Sequence, residues 1–172
     1  MSTEPPGHGA PPNAVPGSAE RLEPYGARVL LSPEDQSLDP SGFLKTFLED
    51  VAVACVDAGA SVVGHLKCFL RTGDGHLRCN LTSVKAGARC EGEGERLLPA
   101  GSEAELGLAV LVYGLPAATI DGLVGDALDK LLSPAGVYWT KDASFQGSEE
   151  GGWMESTKGS PLIGNSTGER HG

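Results

Sequence analysis

Ser61-Val62-Val63-Gly64-His65-Leu66-Lys67-Cys68-Phe69-Leu70-Arg71-Thr72-Gly73-Asp74-Gly75-His76-Leu77-Arg78-Cys79-Asn80-Leu81-Thr82-Ser83 reads as one antiparallel hairpin closed at Gly73-Asp74. Two-residue hairpin loops favour Gly at the first central position, where a positive φ costs Gly almost nothing. That turn sets Leu70 opposite Leu77, Cys68 opposite Cys79 and Leu66 opposite Leu81, all pointing to one side of the sheet. The other side carries His65, Lys67, Phe69, Arg71, His76, Arg78, Asn80 and Thr82. One face is apolar, and the other is polar and basic.

Something must cover the apolar face, and the flanking sequence supplies it. Asp39-Pro40 announces a helix, with Asp capping the free amides and Pro tolerated in the first turn. Leu44, Phe47, Leu48, Val51, Ala54, Cys55 and Ala58 then recur at helical spacing up to Gly59, a terminating residue. Downstream, Leu106, Leu108, Val110 and Val112 alternate with Gly107, Ala109, Leu111 and Tyr113, which reads as a third main strand. Gly114-Leu115-Pro116 breaks that strand and opens a second helix with Ile120, Leu123, Val124, Ala127, Leu128, Leu131 and Leu132 on one stripe, ended by Ser133-Pro134. Arg89 to Glu93 adds a short edge strand at most, and Val137-Tyr138-Trp139 folds back on the domain. The expected class is α+β: a small antiparallel sheet of three or four strands with two helices packed on one face, in the order helix, strand, strand, strand, helix.

The chain has 172 residues, and its ends are too poor in apolar groups to join that domain. Residues 1–37, rich in Pro, Gly, Ala and Ser, read as a disordered tail; residues 38–140 form the domain; residues 141–172, rich in Gly, Ser and Glu, read as a mostly disordered tail. Within the first tail only Arg28-Val29-Leu30-Leu31 has apolar grip, which leaves open whether it adds a short strand or lies across the domain. The net charge of −10 weighs against nucleic acid and against anionic membranes as partners. No apolar run is long enough to span a bilayer, and the first residues lack the regions of a signal peptide. A cytoplasmic setting is therefore expected, in which Cys55, Cys68, Cys79 and Cys90 are reduced and Cys90, in a polar Gly-rich stretch, is the exposed thiol.

Signatures of catalysis are missing from the sequence. Despite 25 glycines there is no P-loop and no dinucleotide fingerprint, and Gly92-Glu93-Gly94 is flanked by acids that would repel phosphate. His76 faces Arg71 rather than His65, and no nucleophile elbow accompanies either histidine. His65 and Cys68, three apart along a strand, point to opposite faces and cannot share an ion. Cys68 and Cys79 do share a face, so a metal site using them with Cys90 or a histidine is the alternative to two small core residues. Neither CxxC nor CxxH occurs. Double-stranded RNA-binding domains share the order of elements, but Leu115-Pro116-Ala117-Ala118-Thr119 stands where they begin their second helix with lysines.

Gly64-His65-Leu66-Lys67-Cys68-Phe69, then Arg78-Cys79-Asn80-Leu81-Thr82-Ser83, then Val110-Leu111-Val112-Tyr113-Gly114-Leu115-Pro116 resemble the small C-terminal domain of CobW-type P-loop GTPases, over about Phe43 to Leu132. The resemblance implies an accessory module for a GTPase or metallochaperone system, and it carries no functional residue over because the P-loop domain is missing from this chain. The sequence as a whole predicts a small non-enzymatic interaction module without a cofactor. It docks a protein partner, such as a GTPase, or a second copy of itself through His65, Lys67, Phe69, Arg71, His76 and Arg78.

Overall fold

The computed structural model describes residues 22–93 and 97–143. In chain order the elements are β1 (Leu22–Pro33), α1 (Pro40–Asp57), β2 (Val62–Arg71), β3 (His76–Leu81), β4 (Arg89–Glu93), β5 (Ala104–Tyr113), α2 (Ala117–Leu132) and β6 (Val137–Lys141), with single 3-10 turns before β4 and before β6. The strands form one sheet in the order β4-β3-β2-β5-β1-β6, every neighbouring pair antiparallel. Both helices lie on one side, α1 against β2, β3 and β4, and α2 against β1 and β6. The class is α+β as expected, but the sheet has six strands rather than three or four.

The hairpin forms in the expected register, with Leu66 opposite Leu81, Cys68 opposite Cys79 and Leu70 opposite Leu77. Thr72 closes the turn by donating its backbone N–H to Gly75 O at 2.9 Å. Leu66, Cys68, Leu70, Cys79 and Leu81 are buried against the helices, while His65, Lys67, Arg71, His76 and Arg78 are exposed on the other side. At the start of β2 the pairing with β5 slips between Val63 and His65. The extra residue is Gly64, where a Cβ would sit 3.0 Å from Leu111 O, so a side chain there would crowd the β5 backbone. The slip turns Val62 out beside Tyr113 and directs Val63 toward the core.

Local signals explain the helix ends. Asp39 accepts the Ser41 N–H at 3.1 Å with Pro40 in the first turn. At the other end, Gly59 at φ 100° lets Ala60 N reach Cys55 O and Gly59 N reach Val56 O, the paired bonds of a Schellman motif. For α2 the cap comes from another element: Glu23 of β1 accepts the Ala117 N–H at 3.0 Å.

Residues 22–33 are the main correction to the sequence reading, which gave them to the tail. They form β1, paired along β5 from Leu22–Tyr113 to Leu31–Ala104. Tyr25, Ala27, Val29 and Leu31 alternate inward and are buried. The outward positions are Leu22, Pro24, Gly26, Arg28 and Leu30, so averaging over composition hid the period of two. Pro24 is tolerated because β6 pairs only with Val29 to Pro33, leaving the first half of β1 with a neighbour on one side alone. The Val137-Tyr138-Trp139 fold-back is the start of β6. The remaining tail residues, 1–21 and 144–172, lie outside the described residues.

Polar contacts fasten α2 to this added edge. The Tyr25 hydroxyl donates to Asp121 Oδ1 at 2.7 Å, Lys141 Nζ reaches the same oxygen at 2.7 Å, and the Trp139 indole donates to Asp129 Oδ1 at 2.9 Å. Hydrogen bonds from Lys141 first, then Tyr25, hold Asp121 below the usual carboxylate range. A carboxylate depressed on folding contributes stability above its unfolded value and loses it as pH falls through the folded one. The stability gap between Asp121→Asn and the parent protein is therefore expected to be open at neutral pH and to close below about pH 4 in denaturant titrations.

Leu31 is fully buried and its neighbour Leu30 is 48 % exposed. Leu31→Ala should then cost about 2–5 kcal/mol in urea unfolding and Leu30→Ala less than about 0.5 kcal/mol. Equal midpoints for the two variants would contradict the assignment of β1.

Candidate functional site

All six residues named for the open face stand on it, brought together by the pairing of β2 with β3. Phe69 is half-buried; its ring centroid lies 5.5 Å from that of His76, and the Arg78 guanidinium carbon lies 5.7 Å from it. Cations near an aromatic face gain roughly 0.5–1 kcal/mol at such exposed sites. Phe69 therefore sits as a flat apolar spot between two basic side chains. Residue 107 of β5, next in the same row, is a buried glycine, so no neighbouring side chain from β5 rises beside the ring.

The strands unforeseen in the sequence change the charge of this face. Glu105 of β5 accepts from Arg71 Nη2 at 2.7 Å and lies 3.5 Å from Arg28 Nε of β1. Arg28 also reaches Asp142 at 3.8 Å. On the far side β4 places Glu91 opposite Arg78, Glu93 opposite His76 and Arg89 opposite Asn80. Arg71 is thus partly neutralised. Of the Lys and Arg side chains on this face, Lys67, Arg78 and Arg89 form no ion pair among the described residues, and His65 stands beside Lys67 on the same strand. Sequence parity found Lys67 and Arg78, but Arg89 and the acids needed the register of β4 and β5.

At the bulged end the same face turns apolar. Tyr113 is opposite Val62 on one side and Leu22 on the other, while Leu111 lies between His65 and Pro24. Val62 is 50 % exposed and Leu22 is 37 % exposed. An apolar strip beside free cations is the arrangement this face offers; scattered single apolar residues would need no explanation.

The cysteines differ from expectation. Cys79 and Cys90, opposite each other on β3 and β4, are joined by a disulfide across a Cα–Cα distance of 4.1 Å. Cys90 is therefore not a free exposed thiol, and in this state neither cysteine offers a thiolate to a metal. Only Cys55 and Cys68 are free, and both are buried. Among the described residues no group of three or more His, Cys, Asp or Glu gathers as metal ligands would. The signal was present in the sequence, since an antiparallel return of 89–93 along β3 sets Cys90 against Cys79; the assumed reducing compartment hid it. Gly92, at φ 148°, permits the close return, because a Cβ there would collide with the His76 carbonyl oxygen.

Away from the open face, a depression is lined by Glu34, Asp35, Asp129, Ser133, Gly136, Val137, Tyr138 and Trp139. The Asp129 carboxylate there is already engaged by the Trp139 indole. No helix among the described residues is long and apolar enough to cross a membrane. Comparison of this chain with protein-family models, with curated proteins and with solved structures finds no match.

The disulfide closes a short loop, so its reduction should lower unfolding stability by about 2–3 kcal/mol. Alkylation of the unfolded, unreduced chain should label two cysteines, Cys55 and Cys68. Labelling of all the cysteines without a reductant would remove the cross-link.

Proposed function

We propose that this chain is a docking module without catalysis of its own, and that it seats an acidic segment of a partner protein on the open side of its sheet. The observation that carries the reading is the bare face itself. Both helices cover one side, while the other sets Lys67, Arg78 and Arg89, with the Phe69 ring among them, beside the apolar strip of Val62, Leu111, Tyr113 and Leu22. Aromatic and apolar side chains in the centre of a contact supply most of its affinity, and charges around them steer the partner and fix its orientation. The helical side points the other way electrically, since Asp121, Asp126 and Asp129 of α2 and Glu49 and Asp57 of α1 are exposed there. An acidic partner is therefore directed to the sheet and away from the helices, within the roughly 8 Å over which such charges act at physiological salt. The resemblance of residues 43–132 to an accessory domain makes a P-loop GTPase the first partner class to test.

Arg71 stands outside this contact, because Glu105 holds it at 2.7 Å. Replacing Lys67, Arg78 and Arg89 together by Glu should weaken partner capture at least tenfold while leaving the circular dichroism unchanged. Cross-links from the wild-type complex should reach Lys67, and added salt should weaken them. A partner bound equally by the triple variant, or cross-linked to the helices, would overturn the reading; a doubled mass without any partner would reassign the face to self-association.

A further inference from the structure

Three of the four cysteines stand in one row across the sheet, and the disulfide uses only two of them. Cys68 of β2 is directly opposite Cys79 of β3, and Cys79 is directly opposite Cys90 of β4. Cys68 is 4 % exposed and Cys79 is 2 % exposed, both on the helical side, while Cys90 on the edge strand is half-buried. Cβ atoms of residues directly opposite in an antiparallel pair lie about 4.5–5.5 Å apart, only slightly more than the span of a disulfide. Cys79 therefore has a cysteine directly across from it on each side, bonded to one and free of the other.

We propose that Cys68, Cys79 and Cys90 form a thiol–disulfide exchange site in which Cys79 changes partner from Cys90 to Cys68, leaving Cys90 as a reactive thiol at the sheet edge. In the step, the Cys68 thiol gives its proton to water and its sulfur attacks Cys79 Sγ. The Cys68–Cys79 bond forms as the Cys79–Cys90 bond breaks, and Cys90 departs with the electron pair and takes up a proton. The exchange is neutral in electrons and needs no outside oxidant. Its product moves the cross-link from the edge into the interior and removes the covalent tie between β4 and β3, leaving their backbone pairing in place.

The surroundings set when this happens. Burial pushes the Cys68 thiol up to about 12, partly offset by the Cys79 backbone amide at its sulfur. No charged side chain is buried near it: β3 presents Cys79, β5 presents Leu108, and α1 presents an apolar stripe whose one titratable member is the Cys55 thiol, itself raised by burial. Only the thiolate attacks, so the exchange is held back at neutral pH and gains about tenfold per pH unit until Cys68 ionises.

The test uses the oxidised full chain, folded, with a maleimide as the trapping reagent. Lys67, Arg71, Arg78, Lys85 and Arg89 place each of the three cysteines on its own tryptic peptide, so mass spectrometry without reduction reads the pairing directly. Expected are a maleimide adduct on Cys90 and an equal amount of Cys68–Cys79 cross-linked peptide, accumulating faster as pH rises. Cys68→Ala should lower Cys90 labelling at least tenfold. Labelling of Cys90 that is equal in Cys68→Ala, or absent while the chain stays folded, would overturn the proposal. Should Cys68→Ala fail to fold, Cys90→Ser treated with oxidised glutathione decides: a Cys68–Cys79 bond supports the exchange, and glutathione retained on Cys79 alone refutes it.

Discussion

Strand β5 is the constraint on which the structure depends. It pairs with β1 and β2 on its two sides, and its inward residues Ala104, Leu106, Leu108, Val110 and Val112 are all buried beneath the helices. A strand with neighbours on both sides cannot slip by one residue without reversing both faces of the sheet. Its inner face meets Val29 and Leu31 from one side and Leu66 and Leu70 from the other, so one apolar layer runs from β3 to β1. The helices then have little freedom, since Leu44, Phe47, Leu48 and Val51 of α1 and Ile120, Val124 and Leu128 of α2 are fully buried against that layer.

The same order explains what the amino-acid sequence discloses. The hairpin, β5 and both helices each announce their period within their own residues, and the Gly73-Asp74 turn and the Asp39 cap agree with it. β1 carries a period of two as well, but Pro24, Gly26 and Arg28 occupy its outward positions and make it look like linker. The positions of Lys67, Phe69 and Arg78 follow from hairpin parity alone. Their electrostatic setting does not, because Glu105, Glu91 and Glu93 reach that face only through long-range pairing. The disulfide differs from them: an antiparallel return of residues 89–93 along β3 already sets Cys90 against Cys79, and only the expectation of a reducing compartment spoke against the bond.

Two faces of unlike chemistry result. The helical side is acidic at its surface and apolar beneath, and it holds every buried cysteine. The bare side joins a neutralised cluster, in which Glu105 is shared by Arg28 and Arg71, to a cationic corner and an apolar end. The shared carboxylate keeps three strands electrically matched where like charges on β1 and β2 would otherwise face each other across β5.

The bulge at Gly64 has an evolutionary corollary. Downstream of it odd-numbered residues of β2 look outward, and upstream the parity is reversed. Amino-acid replacement along β2 is graded in its effect, but insertion or loss of one residue between Gly64 and Arg71 would exchange interior for exterior over part of the strand. Related chains should accordingly drift in side-chain identity while keeping the spacing from bulge to turn, and length variation should collect at the tip near Gly73, where added chain shifts no register.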